Sequence, residues 1–218
     1  MKKVLLVSGG EIEDAFALQY IKAQSFSHVI AIDSGMEFLY RHGLKPDVIV
    51  GDFDSAEASV LEKYRQMPGI EWRKFQPQKD DTDTEIAVLT ALEQGAEELH
   101  ILGALGSRID HSLANIRLLG FCMEKGVDAY LVDAQNRIRM MNQPLELEKD
   151  NQYGKYISLI PFMGDVEGLT LRGFAYPLTD YTMGGYNSIG ISNEITEKKA
   201  TITMEKGTLL MIESRDEE

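Results

Sequence analysis

At 218 residues the chain has room for one large domain or two small ones, and an apolar fraction of 44% is enough for a real core. A formal charge of −13 with no Lys/Arg cluster excludes a binder of the nucleic-acid backbone, which needs a basic face. The single cysteine, Cys122, excludes an intrachain disulfide. No apolar run approaches a membrane span, and the run at 4–7 is too short for a signal peptide, so a cytoplasmic location is expected.

Residues 1–133 alternate strand and helix. Apolar, β-branched runs fall at 4–8, 29–33, 48–51, 71–75, 99–103 and 129–133, with helical periodicity at 11–24, 55–66, 83–94 and 111–124 between them. Apolar blocks alternating with helices predict an α/β domain whose mostly parallel sheet is covered on both faces. Asp54 with Glu57, and Thr82 with Glu85, have capping-box spacing, and Asp110 stands where it can cap the helix near His111. From about residue 134 the pattern becomes short alternating runs, at 137–141, 156–160, 166–171, 200–204 and 209–212, separated by turn residues. This predicts an antiparallel sandwich or barrel over 134–218, with no helix of useful length. Cys122 falls in an apolar helical stretch and is expected in the core, and His28, His42 and His100 are read as structural.

In open α/β sheets ligands bind outside the carboxyl ends of the strands. That rule orders the polar residues. Asp33 ends the second strand, and Asp52 and Asp54 the third. Asp80, Asp81 and Asp83 lie a few residues past the fourth, and Arg108 and Asp110 follow the fifth. One such acid is an ordinary turn or helix cap. Four acidic strand ends on one rim repel one another unless a cation compensates, which points to a metal and a polyphosphate. In an extended segment Asp52 and Asp54 would share one side, with Phe53 opposite. Arg108, in a glycine-bearing loop, suits a phosphate bidentately, and His111 has an acid/base or a purely structural reading. Gly9-Gly10 after the first strand can admit a phosphate, but neither GxGxxG nor GxxxxGK[ST] occurs.

The ordered set Gly51-Asp52-x-Asp54-Ser55, Lys79-Asp80-x-Thr82-Asp83, Gly103-x-x-Gly106-x-Arg108-x-Asp110-His111 with Ala114-Asn115, and Ser192-Asn193-Glu194 resembles the thiamine pyrophosphokinase family over nearly the whole chain. The resemblance implies a Rossmann-like α/β catalytic domain (1–133) and a C-terminal antiparallel β-sandwich that binds thiamine (134–218). It implies a homodimer with active sites at the interface, and Mg²⁺-dependent transfer of pyrophosphate from ATP to the thiamine hydroxyl, giving thiamine diphosphate and AMP. By motif, Asp52, Asp54 and Asp83 would be metal and catalytic carboxylates. Arg108 would be catalytic and, with Asp110, would hold the phosphates. Asp33, Asp80, Thr82 and His111 complete the expected ATP site, and Ser192 and Asn193 would touch thiamine. Two departures, Ser34 and Ser107 where the family often has glycine, put local loop geometry in question. Two other readings stand beside this one. Asp52-Phe53-Asp54-Ser55 at a strand end resembles the nucleophile motif of aspartyl-phosphate phosphatases, and a non-catalytic sensor of nucleotide or thiamine would bind without releasing AMP.

Overall fold

The structure is a computed structural model that describes residues 1–54, 56–74, 82–184 and 188–217. The chain divides into two compact units, Met1–Ala134 and Gln135–Glu218.

The first unit is built on six strands: β1 (Lys3–Val7), β2 (His28–Ile32), β3 (Val48–Gly51), β4 (Glu71–Lys74), β5 (Glu98–Leu102) and β6 (Asp128–Val132). All are parallel, in the order β6-β5-β1-β2-β3-β4. The central strands are apolar because both faces are covered: Leu5, Leu6, Ile30, Leu99 and Ile101 are wholly buried. Each such side chain contributes about 1.5–3 kcal/mol of burial. The chain adds β2, β3 and β4 on one side of β1, then returns to place β5 on the other. The strand order therefore reverses between β1 and β5, where a crevice opens at the carboxyl ends.

Among the described residues five helices serve as crossovers: α1 (Asp14–Ala23), α2 (Gly35–Arg41), α3 (Ala58–Arg65), α4 (Asp83–Glu93) and α5 (Ile109–Glu124). Sequence periodicity misses α2. It is only seven residues long, two turns in which Met36, Phe38 and Leu39 are buried and Glu37 and Arg41 are not, too short for a period to show. Gly35 lets it approach the sheet, since a Cβ there would lie 2.1 Å from the Val7 carbonyl oxygen. The expected Asp54–Glu57 capping box does not form. Helix α3 starts at Ala58, and the Glu57 N–H donates instead to Glu37 Oε1 at 2.7 Å. Thr82 does cap α4, its hydroxyl accepting from the Glu85 N–H at 3.3 Å. Asp110 is not a cap; it sits inside the first turn of α5, after Arg108 at the N-cap. Cys122 is buried on α5, and burial pushes its thiol up to about 12.

In the second unit β7 (Asn136–Met141), β14 (Leu209–Ser214), β9 (Tyr156–Pro161) and β12 (Asn193–Glu194) form one antiparallel sheet. A second comprises β8 (Leu145–Glu148), β13 (Lys199–Thr203), β10 (Val166–Arg172) and β11 (Leu178–Met183). Inward residues of both meet in one core, including Ile157, Leu159, Leu169, Leu171, Ile202 and Met211. The arrangement is a sandwich, not a barrel. Strand β11 escapes sequence reading because Asp180, at φ +48°, interrupts its alternation and shifts the register against β10. Among the described residues no helix is long and apolar enough to cross a membrane.

Leu169 is fully buried in the sandwich core. Leu169→Ala is expected to cost about 2–5 kcal/mol, read as a lower urea midpoint.

Candidate active site

The crevice predicted by the strand order is a real cleft of about 360 Å³, and its lining includes Gly9, Gly10, Asp33, Asp83, Gly103 and Arg108. Its floor is backbone. Ser8 N–H donates to the Leu102 carbonyl at 2.9 Å and Gly10 N–H to the Gly103 carbonyl at 3.0 Å, lacing the loops after β1 and β5 together. A Cβ on Gly10 would lie 2.3 Å from the Gly103 oxygen, so only glycine fits. Gly103 itself stands at φ +68°. The Gly9-Gly10 pair, a weak signal by itself, thus lines the site, as do Ser8 and Glu11. Their place directly after the first strand is the signal that finds them.

Asp33 is the centre of the acidic cluster. It leaves β2 at φ +45° and its carboxyl faces that of Asp83, the first residue of α4. Burial, the facing Asp83 charge and the nearby Asp52 push Asp33 up to about 7. Two of the acidic strand ends thus meet in the cleft and a third lies close by. Asp54 does not join them; it is exposed, and neither Asp52 nor Asp54 lines the cleft. The expected alternation over 52–54 fails because the segment is a turn, not a strand. Phe53 stands at φ +69° and the Asp54 N–H folds back to donate to Asp52 Oδ1 at 2.9 Å. Among the described residues no three His, Cys, Asp or Glu are arranged as a metal cage, so the expected Asp52–Asp54–Asp83 ligand set is not assembled. Asp80 and Asp81 lie outside the described residues.

Arg108 reaches the rim of the cleft from the N-cap of α5, and Asp110 holds its guanidinium bidentately at 2.9 and 2.6 Å. That pairing keeps the Asp110 carboxyl well below the usual carboxylate range. Thr82 and the exposed His111 also line the cleft; Asp110 does not. Asn115 is buried there, its side-chain amide donating to the Ala104 carbonyl at 2.7 Å. Ser34 has ordinary helical angles and Ser107 has no positive φ; the left-handed residue is Asp33, one position earlier. His100 is structural, buried between the Tyr20 hydroxyl and Glu98.

In the second unit Ser192 is exposed at φ +54°, with its N–H on Ser158 Oγ at 3.0 Å. Asn193 is buried and engaged. Its oxygen accepts from the Tyr176 and Glu194 N–H groups, each at 3.0 Å, and its amide donates to the Tyr176 carbonyl at 2.8 Å. Asn193, expected to touch thiamine, instead clamps the backbone of Tyr176, whose ring is 70% exposed.

The raised Asp33 value has a sign. Between the ordinary carboxylate value and about 7 the folded chain holds a proton that the unfolded chain releases, so stability falls as pH rises through that window. Asp33→Asn removes the repulsion and tolerates the left-handed backbone. In chelator it is expected to melt above the parent chain at pH 8, with the gap closing toward pH 5, as thermal melts at both values would read.

Comparison with known proteins agrees with this geometry. Residues 19–131 match the family described as "Thiamin pyrophosphokinase, catalytic domain", and residues 143–209 the one described as "Thiamin pyrophosphokinase, vitamin B1 binding domain". The thiamine pyrophosphokinase of Bacillus subtilis (strain 168) is 36% identical over 189 residues, covering 86% of this chain and 87% of that protein. The crystal structure of the Bacillus subtilis thiamine pyrophosphokinase superposes with a TM-score of 0.88 at 33% identity, over 99% of this chain and 100% of that one. The thiamin pyrophosphokinase of Geobacillus thermodenitrificans gives 0.85 at 30% identity, over 98% of each chain. The chain belongs to the thiamine pyrophosphokinase family of ATP-dependent transferases that make thiamine diphosphate.

Proposed function

We propose that the cleft at the ends of β1, β2 and β5 is where the pyrophosphoryl group leaves ATP for the thiamine hydroxyl. The observation that carries this reading is the meeting of Asp33 and Asp83 over a backbone floor, with Arg108 on the rim. In this reading residues 1–133 are a Rossmann-like nucleotide-binding domain and 134–218 the thiamine-binding sandwich. The family assignment leaves the phosphatase and sensor readings with no observation of their own.

The donor set fits a hard divalent cation: Asp33 and Asp83 offer only carboxylate oxygens, and Mg²⁺ is held by one or two carboxylates together with substrate phosphates. Asp33 and Asp83 would hold Mg²⁺, which when bound neutralises charge on the triphosphate. The chain's own groups do the rest. Gly9, Gly10 and Gly103 let backbone approach the phosphates. Arg108, released from Asp110, makes charge-assisted hydrogen bonds to phosphoryl oxygens as charge builds on them. The hydroxyl oxygen of thiamine bonds to the β-phosphorus as that atom's bond to the α–β bridging oxygen breaks, and AMP departs with the electron pair. The hydroxyl proton passes to a carboxylate of the acidic cluster. The acidic cleft also attracts cationic thiamine. In the second unit Ser192 contacts thiamine, and Asn193 sets the backbone beside it.

A cytoplasmic homodimer belongs to the same reading. Ile109 and Leu113, 67% and 56% exposed on α5 beside Arg108, are apolar surface that a second copy would cover.

Incubation with ATP, MgCl₂ and thiamine is expected to yield equimolar thiamine diphosphate and AMP by mass spectrometry, and chelator should abolish both. Binding of both ligands without AMP would mark a sensor and overturn the reading. Asp83→Asn and Arg108→Ala are each expected to lower turnover about 10²–10³-fold; folded variants at the parent rate would remove those residues from the mechanism.

A further inference from the structure

Phe53 lies between Asp52 and Asp54 at φ +69°, in the left-handed region. For a bulky side chain this is an outlier that the surroundings must enforce. Here the surroundings are specific. The ring is only 9% exposed and meets Trp72 edge-on, with centroids 5.5 Å apart and planes at 80°. Trp72 is on β4 and pairs in register with Ile49 of β3, so the anchor belongs to the sheet and not to a loop. The Phe53 N–H points to Asp33 Oδ1 at 3.5 Å, and the next N–H, of Asp54, closes on Asp52 Oδ1 at 2.9 Å. Gly51, at φ +146°, brings the chain so close that a Cβ would lie 1.8 Å from Asp33 Oδ1.

A turn that required only these backbone angles would be met by glycine without strain. A phenylalanine buried only for stability would need no positive φ. Strained backbone together with an anchored ring has a third use, which is to hold a turn that would otherwise relax. We infer that Phe53 is a positioning residue for the acidic site: its ring, latched against Trp72, holds the 52–54 turn over Asp33 and so sets the distance between Asp52 and Asp33. The inference rests on the reaction proposed above. It adds that the geometry of the acids is set by an apolar contact on the far side of the turn.

The test compares Phe53→Gly, which frees the angles but removes the ring, with Phe53→Leu, which keeps an apolar anchor; thermal melts confirm folding. Phe53→Gly is expected to lower turnover and raise the Mg²⁺ concentration for half-maximal rate, each by about 10–100-fold as for outer groups that orient metal ligands. The KM for thiamine should stay within about twofold, since the latch acts on the acids and not on thiamine binding. Phe53→Leu should restore most of both losses. Trp72 is the only tryptophan, so its emission reads the latch without turnover. Titration with Mg²⁺ plus ATP, thiamine omitted, should give a midpoint shifted in Phe53→Gly by the same factor as the Mg²⁺ requirement. Trp72→Leu should reproduce the turnover loss, and the double variant should lose no more than either single one. A folded Phe53→Gly with parental turnover and parental Mg²⁺ midpoint overturns the inference, as do losses that multiply in the double variant. If the parent chain made no thiamine diphosphate, the proposed reaction would fall, while the fluorescence midpoints would still decide the latch.

Discussion

Two carboxyl groups from different elements face one another at the rim of the parallel sheet, and the site is arranged around that contact. Asp33 comes from the end of β2, Asp83 from the start of α4, and burial together with the facing charge holds Asp33 near 7. Such a contact is costly wherever it is not used, because each acid raises the energy of ionising the other. The surrounding structure holds it in place. Gly51 and Phe53 press the next acidic turn onto Asp33, the Thr82 cap fixes the start of α4, and the laced loops after β1 and β5 form the opposite wall. The sheet order decides that these pieces meet, since they all lie at carboxyl ends around the reversal between β1 and β5.

The parallel sheet was legible because its strands are apolar throughout and its longer helices keep their period. Helix α2 was not, because its two turns are too short to repeat a pattern. Likewise β8 and β11 are polar-rich, and β11 carries a bulge that breaks its alternation. At the site, the strand-end rule located Asp33, Asp83 and Arg108 correctly on the cleft. The expected alternation of Asp52 and Asp54 fails because the chain turns past Gly51, and a left-handed phenylalanine leaves no mark in composition or spacing. The capping readings failed for a related reason. Asp110 pairs with Arg108 two residues earlier, and the Glu57 amide is taken by Glu37, a contact from a distant helix that local spacing does not encode.

Backbone strain is not scattered. Of the five non-glycine residues with positive φ among those described, Asp33 and Phe53 belong to the acidic cluster and Ser192 to the sequence motif linked to thiamine. Each costs of order 1–3 kcal/mol and persists only where the neighbours over-determine it. In the first unit the neighbours are Trp72 and the Gly51 approach. In the second they are Ser158, which accepts from the Ser192 amide, and the adjoining Asn193, whose hydrogen bonds fix the next residues. In both units the strained backbone is braced by side chains that point away from the open surface.

Arg108 enters the resting state already matched to a counterion on its own helix, with both groups in solvent. An anion that comes to this guanidinium must therefore exchange with Asp110. The net attraction is the difference between two ion pairs, not the whole of one. A polyphosphate, with several charges, wins that exchange more readily than a monophosphate does. In the proposed reaction AMP carries less charge than ATP, so Asp110 would reclaim the guanidinium as the spent nucleotide leaves.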